Sequence, residues 1–180
     1  MAKSAIVLTG IKETRKALES FDKQALRKFD KVINTELNNA KKDARNLVSG
    51  TPPLSGWSTT APAKPRSRGG AGWPAWDQSI IKTGIVSSKA ERKVRKDYTT
   101  SAGALINKSA AGVIFELSGR SNKGAGKNKF ISNLEKKESQ ASRLVWKVVD
   151  KDKDKIERNV EIALNEAKAT LQKNLEKERA

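Results

Sequence analysis

The sequence contains no cysteine and no histidine. The first absence excludes disulfides and thiol nucleophiles, and the two together exclude cysteine–histidine zinc sites. Without histidine there is no imidazole base, so serine–histidine hydrolases and zinc deaminases are excluded too. Long apolar runs are also missing. The longest near the start, Ala5-Ile6-Val7-Leu8, is strand-sized, far short of the roughly 18 residues that read as a bilayer span. Four apolar residues after Lys3 do not make a signal-peptide core. These absences lead us to expect a soluble intracellular product with no membrane partner. Any remaining chemistry would fall to carboxylates or lysine.

What is present in excess is positive charge. The 180 residues carry 37 Lys and Arg against 20 Asp and Glu, a net +17. The excess is local. Residues 49–130 hold fourteen basic and four acidic side chains, a net +10, while residues 131–180 hold twelve and ten. Balanced flanks read as solvated helix faces. The basic middle reads as a surface for something negative, or as a solubility device.

Hydrophobic periodicity places the helices. From Asp22 to Val48, apolar residues fall at Leu26, Phe29, Ile33, Leu37, Ala40, Ala44 and Leu47. These steps of three and four form one helical stripe. Ser20 or Asp22 can cap it, and Ser49-Gly50-Thr51-Pro52 ends it. A short helical piece over Ile11–Leu18 and an edge strand over Ser4–Thr9 precede it. Strands are expected at Ser79–Ser88 and Asp97–Asn107, joined by a basic tip over Lys89–Lys96. Ser109–Leu117 reads as a short buried turn, helix or strand. A glycine-rich basic loop over Gly119–Lys129 follows, and Phe130–Lys137 can start a helix. Ala141, Leu144, Val145 and Val148 sit at helical spacing. The charged run Asp150–Lys155 then interrupts the stripe. A second stripe from Asp152 to Glu178 would make a helix about 40 Å long, and such a thin-striped helix needs a partner.

Residues 49–76 differ from everything around them. All five prolines, three of the four tryptophans and no acid lie in these 28 residues. A loop of that length inside a domain is usually functional or disordered, and disordered linkers are poor in aromatics. Trp57, Trp73 and Trp76 therefore either dock against a partner or fold back onto the chain's own core. The docking reading adds Lys64, Arg66 and Arg68 from the loop, and Arg92, Lys93, Arg95 and Lys96 from the basic tip.

Tests for a catalytic or cofactor site fail. In Gly119–Lys127 the phosphate-loop spacing would need glycine where Ser121 stands and a hydroxyl where Asn128 stands. No spaced set of acids resembles a calcium loop, so no metal or cofactor is expected. Glu116, between Phe115 and Leu117, is the one acid in an apolar stretch. A buried Glu must be paired or its pKa rises, so an ion pair to a Lys or Arg is expected.

Ala110, Ala111, Phe115, Glu116, Leu117 and Gly119, followed by Phe130-Ile131 and Leu134, carry a family likeness. Together with the preceding strand, helices and hairpin, they resemble the neck and tail-completion proteins of long-tailed bacteriophages. These are also described as minor tail, tail terminator or head–tail joining proteins. A branch of that family also shows segments like Leu54-Ser55-Gly56-Trp57, Gly72-Trp73-Pro74-Ala75-Trp76 and Ser142-Arg143-Leu144-Val145-Trp146. Where the family has proline before the phenylalanine, this chain has Lys129.

The resemblance implies an α+β fold, with long amphipathic helices on a small antiparallel sheet and a long Trp/Pro-rich loop. It implies one domain over residues 1–180, with the loop at 49–78, a hairpin and sheet region at 79–118 and a C-terminal helical region at 139–178. It further implies a structural virion protein without enzymatic activity, assembled in the host cytoplasm. Its relatives form rings, commonly hexamers, between portal-side connector and tail tube. Partners would be other copies, neighbouring neck and tail-tube proteins, and genome DNA in the channel. The rival expectation is a small, basic, non-specific DNA-binding protein.

Overall fold

The computed structural model describes residues 2–7, 11–60, 74–88, 101–120 and 128–179. The order of elements is β1 (Ala2–Val7), α1 (Ile11–Phe21), α2 (Lys23–Asn46), α3 (Gln78–Gly84), β2 (Ile85–Ser88), β3 (Ser101–Asn107), α4 (Ala110–Leu117), α5 (Lys129–Glu138) and α6 (Val145–Arg179). The class is α+β. The three strands form one sheet in the order β1-β3-β2, so β1 is an edge strand. β2 and β3 run antiparallel: Lys108 N–H donates to the Gly84 carbonyl, while Gly103 lies beside the Ser88 carbonyl. The chain divides into two compact units, each assembled from three stretches of sequence.

One unit comprises Ala5–Ala40, Ser87–Ala104 and Val149–Ala180. Its frame is an antiparallel helix pair. Asn174 Nδ2 donates to Asp22 at 2.9 Å, and Asn159 Nδ2 donates to Glu36 at 2.9 Å. The partner number falls as the α6 number rises, which fixes opposite directions. α1 joins α2 through the Arg15–Asp30 ion pair at 3.0 Å. Ala25, Phe29, Ile33 and Leu37 of α2, and Ile156, Val160, Ala163 and Ala167 of α6, are buried. Gly103 lies close against α2: a Cβ on it would sit 2.5 Å from Leu37 Cδ1, so that side chain would have to shift.

The other unit comprises Met1–Ser4, Lys41–Val86 and Leu105–Val148. α3 packs on α4 within it. Its core contains Val48, Trp57, Trp76, Ile81, Ile85, Phe115, Leu134 and Leu144.

Several helices follow the expected pattern with shifted ends. The α2 N-terminus is capped by Asp22, whose Oδ1 accepts from the amides of Gln24 and Ala25, each at 2.9 Å. Ala25 and Val48 are buried, whereas Leu26 is half-buried and Leu47 is 40% exposed. A real helix turns 3.6 residues, so a stripe read in steps of three and four drifts by about half a position over six turns, and Leu47 and Val48 lie just beyond the end of α2. The C-terminal region is one unbroken helix of 35 residues. The Asp150–Lys155 run does not divide it. Asp152 takes the stripe position between Val149 and Ile156, half-buried, while its charged neighbours are exposed. Ala141, expected in this helix, lies before it.

The strand expected over Ser79–Ser88 is a correction. Residues 78–84 are helix α3, and only Ile85–Ser88 is strand. Asp77 decides this. Its Oδ1 accepts from Ser79 N at 2.8 Å and Ile80 N at 3.0 Å, satisfying two amides at the helix start. The hydrogen bonds from Ile80 and Ser79 hold the Asp77 carboxyl below its ordinary value. Ser109–Leu117, open among turn, helix and strand, is helix α4. Ser109 Oγ caps it by accepting from Gly112 N at 3.2 Å. Of the second expected strand, Ser101–Asn107 is described and is strand β3. Residues 97–100 and the basic tip over 89–96 lie outside the described residues.

Candidate functional site

Ala110, Ala111, Phe115, Glu116, Leu117, Gly119, Phe130, Ile131 and Leu134 lie together in the second unit, in and around α4. Four aromatic rings pack edge-on there. Trp57 meets Trp76 at 5.2 Å between centroids and Phe130 at 5.5 Å, while Trp76 meets Phe115 at 5.2 Å. The indole nitrogens are satisfied by backbone. Trp57 Nε1–H donates to the Pro74 carbonyl at 2.9 Å, and Trp76 Nε1–H donates to the Ser49 carbonyl at 3.1 Å. Trp76 N also donates to the Ser58 carbonyl at 2.8 Å. The two described ends of the long loop are thus tied to each other.

This corrects the docking expectation at two positions. Trp57 and Trp76 are 5% and 2% exposed, and they belong to the chain's own core. Burying two large ring systems supplies what a chain with few aromatics otherwise lacks. Trp73, Lys64, Arg66, Arg68, Arg92, Lys93, Arg95 and Lys96 lie outside the described residues.

Glu116 is fully buried, as its apolar neighbours predict. Its partners are not the expected Lys or Arg. One carboxylate oxygen accepts from Trp146 N at 2.8 Å, and the other accepts from Leu144 N. Glu116 therefore caps the N-terminus of α6, where amides lack helical partners and the dipole favours negative charge. Its carbonyl accepts from Ser142 N at 2.8 Å. Burial pushes the Glu116 carboxyl above its ordinary value. The amides of Trp146, Leu144 and Val145 and the charge of Arg143 oppose that shift.

Arg143 does the converse job. It is 4% exposed. Its Nη1 donates to the carbonyls of Phe115 at 2.7 Å and Ser118 at 2.9 Å, and Nη2 donates to Ser139 at 2.8 Å. The guanidinium so satisfies carbonyls at the C-terminal end of α4, and it lies 5.6 Å from the Phe115 ring centre. Burial lowers its pKa, which the charges of Glu135, Glu116 and Glu138 resist. A residue of α4 caps α6, and a residue just before α6 caps α4. Two serines in the connecting turn, Ser139 and Ser142, hold φ of 99° and 77°. Such angles are strained for any residue with a Cβ.

Gly119 completes the arrangement with φ of 92°. A Cβ there would collide with Glu135 Oε1 and crowd Ile131. Gly119→Ala is expected to cost roughly 2 kcal/mol, combining backbone strain with the clash. Equilibrium urea unfolding measures this, and a loss below a few tenths of a kcal/mol would remove the argument for glycine at this position.

Beside the caps, the Arg120 guanidinium lies 4.3 Å above the Trp146 ring. Arg120 is exposed and Trp146 half-buried. Among the described residues, the buried Trp146 Nε1 has no hydrogen-bond partner. Sequence reasoning missed Arg143, Arg120 and Trp146 as a group. The available signal was an arginine directly before the apolar pair Leu144-Val145, with the one tryptophan outside the loop next to it.

Charge divides unevenly between the units. The unit holding this site carries 17 basic and 5 acidic side chains, and the other carries 20 and 15. The site unit therefore holds +12 of the net +17. Among the described residues, no group of three acids is placed to hold a metal ion, and no helix is long and apolar enough to cross a membrane. Comparison with protein-family models, with curated proteins and with solved structures gives no significant match in any of the three.

Proposed function

We propose that this chain is a structural virion protein of a tailed phage. In this reading it is a neck or tail-completion protein, forming an oligomeric ring between the portal-side connector and the tail tube. One observation carries the reading: the residues that bear the family likeness form a single mechanical device. Phe115 packs in the aromatic cluster, Glu116 caps α6, Gly119 makes the turn beside Glu135, and Leu134 of α5 is fully buried. Residues that hold three helices together are what a shared fold would retain. The α+β class fits the same family.

The mechanism is assembly, not catalysis. A ring uses heterologous contacts that must close on themselves, and many modest contacts add through avidity. The proposed site of action is the head–tail neck of the particle, reached from the host cytoplasm. Particles made without this chain are expected to accumulate as separate filled heads and free tails. Electron microscopy of the lysate counts both, and normal joined particles without the chain would overturn the proposal.

The net +17 favours a second reading, a non-specific DNA-binding protein. That reading expects tight binding of any short duplex, weakening steeply with salt as counterions are released. The neck reading expects weak binding or none. Titration of the intact chain against one duplex over a salt series separates the two.

A further inference from the structure

We infer that the Arg120–Trp146 stack is the anchor of a docking site for an acidic protein segment. The guanidinium carbon lies over the indole, 4.3 Å from the ring centre. Arg120 is exposed, and no carboxylate pairs with it or with neighbouring Lys147 among the described residues. A planar fork fixed in this way matches a carboxylate through two parallel N–H bonds, and part of the ordering cost is met before binding. Among the described residues the buried Trp146 Nε1–H has no acceptor, a state that buried polar groups rarely keep. Two sets of donors without acceptors therefore belong to one stacked pair, in the unit that carries +12. Exposed Lys129, Lys136 and Lys137 of α5 add to the positive field of that unit.

Charge also selects the occupant. A second copy is a poor source of negative charge, because both units are net positive and the acids of 150–155 alternate with lysines. Duplex DNA is drawn by any row of cations and has no use for an indole donor or a stacked ring. A protein segment uses both, and Trp and Arg are the residues that most often dominate protein interfaces. The occupant is then a segment of another protein that presents Asp or Glu beside an apolar side chain. The inference needs no ring and stands whether or not the neck reading holds.

The test uses the intact chain with two probes, a short poly-glutamate peptide and a duplex DNA of equal charge. Poly-glutamate is expected to bind and to move the indole N–H signal of Trp146, assigned with Trp146→Phe, in a proton–nitrogen correlation spectrum. Arg120→Ala is expected to weaken that binding roughly tenfold, and Arg120→Lys should recover only part of it because the fork is lost. Lys137→Ala removes the same charge and should change binding less than twofold. Melting curves of all variants verify folding. Equal losses for Arg120→Ala and Lys137→Ala would overturn the inference, as would an unmoved Trp146 signal. Tighter binding of the duplex, with the same loss at every basic position, would assign the surface to DNA and overturn it too.

Discussion

Glu116→Ala is expected to lower stability by about 3 kcal/mol. The change strands buried amides at the start of α6 and removes one of the acidic charges that compensate Arg143, and each unsatisfied buried group costs about 1–3 kcal/mol. For a chain of this length the melting point should drop by roughly 6–12 °C. Calorimetry or urea unfolding reads the effect, and a loss under about 1 kcal/mol would mean that solvent replaces the cap. Glu116→Gln keeps the shape and one acceptor, so it should cost less.

The same residue gives a pH dependence of defined sign. Burial raises the folded-state carboxyl above its ordinary value of 4.5. Between 4.5 and that raised value, the folded chain keeps a proton that the unfolded chain has lost. The contribution of Glu116 to stability is therefore complete below the ordinary value and declines as pH rises through the folded value. Glu116→Gln cannot titrate and should flatten this part of the profile. Urea unfolding at stepped pH, from below the ordinary value to neutrality, measures the slope. An identical slope in the variant would place the titration elsewhere.

Trp76→Ala is expected to have the larger effect, about 3–5 kcal/mol, the range for emptying an aromatic site in a packed core. Trp76 touches Trp57 and Phe115 edge-on, and its Nε1–H holds the Ser49 carbonyl. Trp76→Phe keeps a ring and loses that hydrogen bond, so it should cost about 1–2 kcal/mol. Equilibrium unfolding of both variants orders them. If alanine and phenylalanine gave equal losses, the ring packing would not be the source. A particle-assembly defect in Trp57→Ala or Trp76→Ala then reports a damaged fold, not a lost contact. Arg120→Ala is the cleaner probe of docking, since Arg120 is exposed and outside the core.

The helices that bury one stripe along their length were legible in the sequence. α2 and the latter part of α6 follow a local rule, a turn of 3.6 residues with apolar side chains on one side. Their ends were less legible, because they depend on which side chain reaches a free amide. Asp22 and Ser109 are local caps. Asp77 is also local, yet the paired isoleucines after it suggested a strand. A two-residue apolar run has no period, so only the cap separates helix from strand there.

The partners of Glu116 were beyond any local rule. The sequence marked it as an acid in an apolar stretch and so required compensation. It could not say that backbone amides 28 and 30 residues onward would supply it, because helix ends satisfy charge as well as lysines do. The tryptophans gave the same kind of result. Composition showed that Trp57 and Trp76 had to be buried against something. It could not choose between another protein and this chain, since burial of apolar area is non-directional.

By itself, then, the sequence determined the excluded chemistries, the amphipathic helices and the concentration of positive charge in the middle of the chain. These follow from side-chain inventory and short-range periodicity. Tertiary structure alone decided that two loop tryptophans close the core, that Glu116 and Arg143 exchange caps between α4 and α6, and that Arg120 is stacked on Trp146. Those pairings join residues far apart in sequence, and their energy depends on geometry and desolvation that exist only once the chain has folded.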